Sequence, residues 1–208
     1  MSDRPTTTSA RWAAAGFSAV VVTRAVGAAF APALIARSPL ALILLSPFLA
    51  HLVFAAGLLD PVSFFAGALT ISIVQCLLGH RFGLIWGERA RAWIAARGLA
   101  SDAAMARVLG WLATAAPWVL LAIPGPITCA MAGVARVDGA RFYAPMLAAQ
   151  LLWVAGCYLF GSALTAWIAL AQAWVQEHVV VLTAVASGVV LARWAWVRWR
   201  RSREAPPM

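Results

Sequence analysis

The 208-residue chain is 63% hydrophobic and only 11% charged, whereas a soluble domain carries about 25% charged residues. This composition excludes an ordinary soluble domain, because such a fold would expose a large apolar surface to water. The net charge of +9 comes from arginines that stand at the ends of apolar runs, which argues against a nucleic-acid-binding surface and is typical of a multi-pass membrane protein.

The first apolar segment, residues 12–36, follows a polar tail at residues 1–11 and is interrupted by Arg24. Its 25 residues would form a helix about 37 Å long, enough to cross a bilayer with tilt. No clear signal-peptide cleavage site follows, so we expect a retained first helix. Arg24 is expected to snorkel to the interface, to face a protein interior, or to mark a helix that lies partly in the interface. Binding of a lipid phosphate is a further alternative for it.

The next apolar stretch, residues 39–57, is short for a span and is broken near its middle by Pro47. We predict a re-entrant hairpin, because irregular backbone at membrane depth must be buried in protein or line a cavity. His51 is the only ionisable side chain of this hairpin. It is expected to serve in a proton relay, or to be a neutral ring bonded to the hairpin backbone.

Residues 62–78 follow a turn at Asp60 and form a predicted second span that contains Gln75. From residue 80 to residue 107, charged residues alternate with large apolar side chains such as Trp86. This mixture predicts an amphipathic helix on the membrane surface.

Residues 109–133 are apolar and contain four helix-breaking residues, namely Pro117, Pro124, Gly125 and Pro126. One straight helix is not expected there, and we predict a second re-entrant hairpin. The breaks at Pro47 and at Pro124–Pro126 free backbone groups that could line a translocation path, or they only shape the fold.

The last third of the chain contains a polar turn and two further spans. The turn holds Arg136, Asp138 and Arg141, the spans are residues 142–164 and 179–199, a less apolar link covers residues 166–178, and a basic tail covers residues 200–208. Arg136 and Arg141 are expected to bind lipid headgroups or to act only as topology signals. Gln150 and Gln75 are expected to line a polar path or to bond between helices.

The distribution of arginines predicts the orientation of the chain. The N-terminus, residues 80–107, residues 136–141 and the C-terminus together hold 14 of the 16 arginines. The positive-inside rule places all four on the cytoplasmic side, so both termini are expected in the cytoplasm. This arrangement requires each hairpin to return to the face from which it entered.

An internal repeat relates the two hairpins and the spans that follow them. One unit runs from Pro47 through an aromatic pair to Gly83, and the other runs from Pro124 through a second aromatic pair to Gly161. The two intervals are 36 and 37 residues long, and the predicted topology makes the units inverted. Inverted repeats with broken helices are typical of transporters, although two apolar segments can also align by chance.

Between Leu42 and Arg198 the chain resembles the DedA family, within the wider DedA/VTT group of membrane proteins. The residues that carry this resemblance are Pro124, Ala132-Gly133, Phe142 and Trp153, together with the earlier stretch LLGHRFGLIWGERA. The resemblance implies two facing re-entrant hairpins and a role in moving phospholipid or undecaprenyl phosphate across the bilayer. The family's usual carboxylate in the first hairpin and arginines in the second are absent here.

We therefore expect an all-α integral membrane protein with about four transmembrane helices, two inverted re-entrant hairpins and an interfacial amphipathic helix. Residues 12–199 form one domain, with re-entrant units at about residues 39–80 and 109–164. The expected function is DedA-like translocation of lipid or a lipid-linked carrier in the plasma (inner) membrane. A proton-coupled transporter of a small solute and a non-transporting scaffold are the alternatives.

We do not expect an enzyme, a metal or a cofactor, because no nucleotide loop, Ser/His/Asp set or metal-ligand cluster is present in the sequence. Membrane lipids are the expected partners, nucleic acid is not, and a homo-oligomer is left open.

Overall fold

A computed structural model describes residues 7–96, 102–137 and 139–204, and every regular element in these ranges is an α-helix. The helices are α1 (Thr7–Ala29), α2 (Ala31–Arg37), α3 (Pro39–Leu45), α4 (Leu49–Ala56), α5 (Pro61–Ala96), α6 (Asp102–Ala122), α7 (Pro126–Val134), α8 (Ala140–Ala163), α9 (Thr165–Glu177) and α10 (Val179–Glu204).

Four of these helices contain segments long and apolar enough to cross a membrane. The segments are Ala10–Ala29, Pro61–Arg89, Ala140–Ala163 and Val179–Trp196. Their number and their places along the chain confirm the four predicted spans. Large apolar side chains on the helices face outward, with Trp118, Trp167 and Val180 each more than 70% exposed. Hydrocarbon around these helices removes the cost that such exposure would have in water.

The helix boundaries differ from the sequence prediction at three places. The second span was expected to end at residue 78, with a separate helix from residue 80, but α5 continues unbroken to Ala96. No proline interrupts it, and a change from apolar to charged side chains leaves backbone hydrogen bonds intact. Residues 97–101 of the predicted interfacial helix lie outside the described residues.

The first apolar segment divides at Phe30 into α1 and α2, with Pro32 in the first turn of α2 where its missing N–H is tolerated. The predicted link at residues 166–178 is itself helical and forms α9.

Two pairs of helices surround the predicted breaks. At the Pro47 break, residues 46–48 separate α3 from α4, which pack against each other. At the Pro124 break, residues 123–125 separate α6 from α7, which also pack against each other. Pro117 was expected to interrupt the helix, but it lies inside α6. The helices on either side of the Pro47 break have seven and eight residues, or roughly 12 Å each, so neither can cross a bilayer alone.

The described chain forms two compact units. Unit 1 contains the residues up to Val21 and the segment Leu69–Gly156. Unit 2 contains the segment Val22–Ala68 and the residues from Cys157 onward. The Pro124 break belongs to unit 1 and the Pro47 break to unit 2.

In unit 1, a row of glycines lets α5 and α7 approach until their backbones touch. A Cβ atom on Gly79, Gly83 or Gly87 would meet Pro126, Ala130 or Val134 of α7, respectively. The glycines are four residues apart and so share one face of α5. Small residues at this spacing are the usual means of close packing between helices in membranes. The core beside this contact is apolar and includes Cys76, Leu120, Cys129, Phe142 and Met146.

In unit 2, a glycine has the same role between α8 and α4. A Cβ atom on Gly161 would meet the carbonyl oxygen of Val53 and would lie 2.7 Å from the Cβ of Ala56. Gly161 follows Gly83 by 78 residues. The helix after the Pro124 break, α7, packs against Gly83 of α5. The helix after the Pro47 break, α4, packs in the same way against Gly161 of α8, at the equivalent position of the repeat.

Aromatic contacts repeat at this register as well. In unit 1, His80 stacks on Phe142 with ring centroids 3.7 Å apart. Tyr158 of unit 2 follows His80 by 78 residues. Its ring centroid lies 5.4 Å from that of Phe64 and 5.1 Å from that of Phe65. These matched contacts support the internal repeat. The predicted inversion of the two halves stays a prediction.

Candidate functional site

The Pro47 break in unit 2 brings together the two ionisable groups that the sequence singled out in apolar segments. Arg24 of α1 donates from Nη2 to the carbonyl oxygen of Pro47 at 3.4 Å. The carbon of its guanidinium group lies 4.5 Å from the ring centroid of Phe48, a cation–π contact. Arg24 therefore contacts two residues of the break, and it is half-buried.

His51 lies on the first turn of α4 and contacts the same break. Its Nδ1 is 2.8 Å from the carbonyl oxygen of Ser46, and its ring lies edge-on to Phe48 with centroids 5.7 Å apart. Phe48 thus has the guanidinium group of Arg24 and the imidazole of His51 as neighbours. The sequence predicted both ionisable residues as candidates, but it gave no sign that they share a contact residue.

The break supplies polar backbone atoms because its residues leave helical geometry. Phe48 has extended backbone (φ −79°, ψ 152°), and the carbonyl oxygen of Pro47 faces the side chain of Arg24. The carbonyl oxygen of Ser46 accepts from the N–H of Phe48 at 2.7 Å and also lies against His51. The hydroxyl oxygen of Ser46 is buried and makes no hydrogen bond to the described residues. Freed carbonyl groups together with one arginine make a polar patch in an apolar helical setting.

The Pro124 break in unit 1 has similar backbone but a different chemistry. Gly125 is extended (φ −170°, ψ 164°), and the carbonyl oxygen of Leu121 accepts a hydrogen bond from Nε1 of Trp153 at 3.1 Å. Pro126 is buried, and its carbonyl faces Gly79 of α5. The contacts described for this break come from neutral groups.

Gln75 and Gln150, which were predicted to line a path, are both buried in unit 1, at 2% and 5% exposure. Gln150 donates from Nε2 to the sulfur of Cys76 at 3.1 Å. This contact joins α8 to α5. Gln150 therefore makes a hydrogen bond between helices, which was one of the two roles predicted for it. The structure places these glutamines in a different unit from Arg24 and His51.

Arg136 and Arg141, which with Arg24 were predicted to bind headgroups, are both exposed residues of unit 1. Arg136 makes an exposed ion pair with Glu88 at 3.4 Å and has a positive φ of 56°. It occupies the position after α7 where glycine is usual, because Arg136 N–H bonds to Gly133 and Val137 N–H bonds to Ala132. Arg141 lies in the first turn of α8. Asp138, which was predicted to share one polar turn with these arginines, lies outside the described residues.

Sequence reasoning missed several residues that shape these regions. The sequence shows that residue 48 is aromatic, but only the structure shows that the guanidinium group of Arg24 lies over the ring of Phe48. His80 is buried and its Nε2 lies 2.7 Å from the carbonyl oxygen of Val137, so it holds the turn before α8. The spacing of Gly79, Gly83 and Gly87 was visible in the sequence and could have indicated the close helix contact.

No protein-family model, no curated protein and no solved structure matches this chain.

Proposed function

We propose that this protein translocates phosphate-bearing lipids, such as phospholipid or undecaprenyl phosphate, across the bilayer, as the resemblance to the DedA family implies. The observation that carries the proposal is the guanidinium group of Arg24 at the Pro47 break, with His51 beside it. Guanidinium groups bind phosphate oxygens by two parallel hydrogen bonds, and a charge in an apolar span is costly unless it has a task or a partner.

The surroundings of Arg24 suit a headgroup whose chains stay in hydrocarbon. Val26, Phe48 and Leu49 are each between 42% and 53% exposed. Of these apolar residues, Phe48 lies directly under the half-buried guanidinium group, and Val26 and Leu49 are neighbours along the chain of Arg24 and of Phe48, respectively. A lipid held by its phosphate could keep its acyl or prenyl chains against such surface, so that only the headgroup passes through the protein. Arg24 would supply from α1 the positive charge that the hairpins themselves lack.

For the arrangement in the membrane, we propose that residues 39–57 and 109–133 form inverted re-entrant hairpins and that the helix beyond Arg89 lies at the interface. Both termini would face the cytoplasm at the plasma (inner) membrane. The shortness of α3 and α4 supports the first hairpin, and the arginine distribution supports the orientation.

The orientation is testable by single cysteines at two exposed positions, Arg37 and Arg141, in a variant whose native cysteines are serine. A membrane-impermeant maleimide applied to intact cells should label Arg37→Cys and spare Arg141→Cys. Labelling of the second variant alone would reverse the proposed orientation.

Lipid movement tests the function directly. Full-length protein is reconstituted into liposomes with fluorescently labelled phosphatidylglycerol or with a labelled polyprenyl phosphate, and outer-leaflet label is quenched by dithionite. Protein that translocates lipid raises the quenched fraction above that of empty liposomes. Arg24→Gln should lower the rate at least about tenfold, the loss expected from one charge-assisted contact.

Arg37→Gln is the matched control, since Arg37 is an exposed arginine of the same unit. It should translocate at the rate of the unaltered protein. Equal rates for Arg24→Gln and Arg37→Gln would remove Arg24 from the path. Absence of lipid movement with both probes, in protein that elutes as a folded species, would contradict the proposed function and favour a scaffold.

A proton-coupled transporter of a small solute is the second candidate, and His51 at the break favours it. A pH gradient across liposomes loaded with a pH-sensitive dye separates the two. Solute-dependent proton flux without lipid movement would select the transporter.

A further inference from the structure

The hydrogen bond of His51 determines which of its ring nitrogens carries the proton. Nδ1 lies 2.8 Å from a backbone carbonyl oxygen, that of Ser46, and this oxygen can only accept. Nδ1 must therefore carry a hydrogen. In the neutral ring Nε2 is then an unprotonated acceptor, and it makes no hydrogen bond to the described residues. The ring can gain a proton only at Nε2, and this gain changes it from an acceptor with no charge to a cationic donor.

Resting on the function proposed above, we propose that anion binding at Arg24 is proton-linked through His51, so that a bound phosphate headgroup and a proton on Nε2 stabilise each other. Arg24 and His51 both contact the ring of Phe48, with its centroid 4.5 Å from the guanidinium carbon and 5.7 Å from the centroid of the imidazole. Without an anion, the charge of Arg24 opposes a second positive charge on His51. A bound anion cancels that repulsion and offers oxygens to a protonated Nε2. Coupling of this kind is reciprocal, so acidification must tighten anion binding.

The other charged or titratable groups on the elements packed against α4 do not account for such a linkage. They are Asp60 in the turn after α4, Glu177 of α9, and Arg141, Tyr143, Cys157 and Tyr158 of α8. Arg141 and Tyr143 lie 20 and 18 residues before Gly161, the residue of α8 that contacts α4, and Cys157 is a buried thiol. Asp60 is exposed and accepts a hydrogen bond from the N–H of Ser63. Tyr158 packs against an aromatic pair.

Glu177 ends α9, nine residues beyond Ile168, which is the residue of α9 that contacts Gly57 at the end of α4. Nine helical residues extend about 13 Å. Arg24 is therefore the charged group that shares a contact residue, Phe48, with His51.

The choice of ligand makes the linkage measurable. A phosphate diester such as phosphatidylglycerol keeps a single negative charge throughout the range from pH 5.5 to pH 8. Any change of affinity within that range therefore comes from the protein. If anion binding favours the protonated ring by one pKa unit, affinity changes by about tenfold across the titration of His51.

The experiment uses the full-length protein in nanodiscs of zwitterionic lipid, with short-chain phosphatidylglycerol as the probe and tryptophan fluorescence as the readout. Binding is measured at pH 5.5, 6.5, 7.5 and 8. The unaltered protein should bind about tenfold more tightly at pH 5.5 than at pH 8. His51→Gln, which has an amide that donates at every pH, should bind with an affinity that does not vary with pH. His178→Gln is the matched control, because His178 is an exposed histidine of the same unit, and it should retain the pH dependence.

A second measurement needs no variant. Calorimetric titrations at pH 7.5 in two buffers of different ionisation enthalpy report the protons taken up for each lipid bound, and a value well above zero is expected.

A further arm uses glycerophosphoglycerol, the same headgroup without acyl chains. Equal affinity for it would identify the site as one for soluble phosphodiesters, which overturns the lipid identity of the ligand.

The outcomes separate this proposal from the proposed function. Binding that is abolished in Arg24→Gln but is independent of pH in the unaltered protein refutes the proton linkage and leaves the lipid site in place. Unchanged binding in Arg24→Gln refutes both. Tighter binding at low pH that persists in His51→Gln assigns the proton to another group and also overturns the proposal.

Discussion

Replacing Gly83 by alanine tests the closest helix contact in unit 1. The new Cβ would meet the carbonyl oxygen of Ala130, with the carbonyl carbon 2.8 Å away and the backbone nitrogen of Val134 3.0 Å away. All three atoms belong to the backbone of α7, so no side-chain rotation relieves the overlap. The two helices must separate, and overpacking of this kind costs about 1–3 kcal/mol.

The matched control is Gly188→Ala in α10, where a new Cβ would have no neighbour within 4 Å. There the substitution gains only the helix propensity of alanine, about 0.5–1 kcal/mol. The gain in helix propensity is common to both variants, so their free energies of unfolding should differ by the overpacking cost, about 1–3 kcal/mol, with Gly83→Ala the less stable. Gly161→Ala, which would meet Val53 in unit 2, should lose stability in the same way.

The assay is thermal unfolding of the purified protein in detergent, followed by tryptophan fluorescence at a fixed heating rate. For a chain of this size, 1–3 kcal/mol corresponds to roughly 2–12 °C in Tm. Size-exclusion profiles before heating check that both variants are folded. If Gly83→Ala melts at or above the temperature of Gly188→Ala, the helices do not pack at this glycine and the contact described here is wrong.

Three further predictions concern helix ends. Arg136→Gly should raise stability by about 1 kcal/mol, because glycine adopts the positive φ of 56° without strain, and an unchanged or lower Tm would contradict this explanation. A hydrogen bond from Ser63 N–H holds the pKa of Asp60 below its usual value. This capping contribution should be present at neutral pH and be lost as pH falls through the acidic range where the carboxyl group titrates. The loss of Tm between pH 6 and pH 3 should therefore be smaller in Asp60→Asn. Gln172→Ala should cost about 1 kcal/mol and Gln176→Ala less, because only the first of these bonds to the end of α2 is part-buried, and equal losses of Tm would contradict that ranking.

The four spans could be predicted from sequence because each is a long run of apolar residues, and hydrocarbon thickness determines the length such a run needs. The breaks at Pro47 and Pro124 were predictable for a related reason, since proline removes a backbone donor. Pro117 shows the limit of that rule. It lies within α6, and the chain leaves helical geometry at residues 123–125, where proline and glycine adjoin.

The continuation of α5 beyond residue 78 could not be read from hydropathy. A helix ends where its backbone hydrogen bonds end, and the charged residues after Leu78 change its surroundings without removing any donor. The glycine row on α5 carries the missing information. Its four-residue spacing is helical and runs from Gly79, at the boundary that composition indicated, to Gly87.

The contact between Arg24 and Pro47 could not be predicted from the sequence, because it depends on which face of α1 packs against the Pro47 break. Arg24 and Pro47 are 23 residues apart, and a helix that is apolar on all sides gives no moment to show which face is inward. Sequence could only state that a charge within such a helix must find a partner or reach water. The structure supplies the partner, a backbone carbonyl freed by the proline that sequence had identified.

The two breaks share a backbone arrangement but differ in charge, and this difference bears on how a headgroup would move. Arg24 places a positive charge at the Pro47 break, whereas the contacts described at the Pro124 break come from neutral groups, Trp153 and Gly79. Passage requires binding strong enough to admit a ligand and weak enough to release it. Under the proposed function, a cation at both breaks would hold a phosphate twice and slow its release. Placing an arginine at the neutral break, as in Ile123→Arg, should therefore tighten lipid binding while lowering the rate of translocation, and a variant that translocates faster would show that the neutral break limits entry instead.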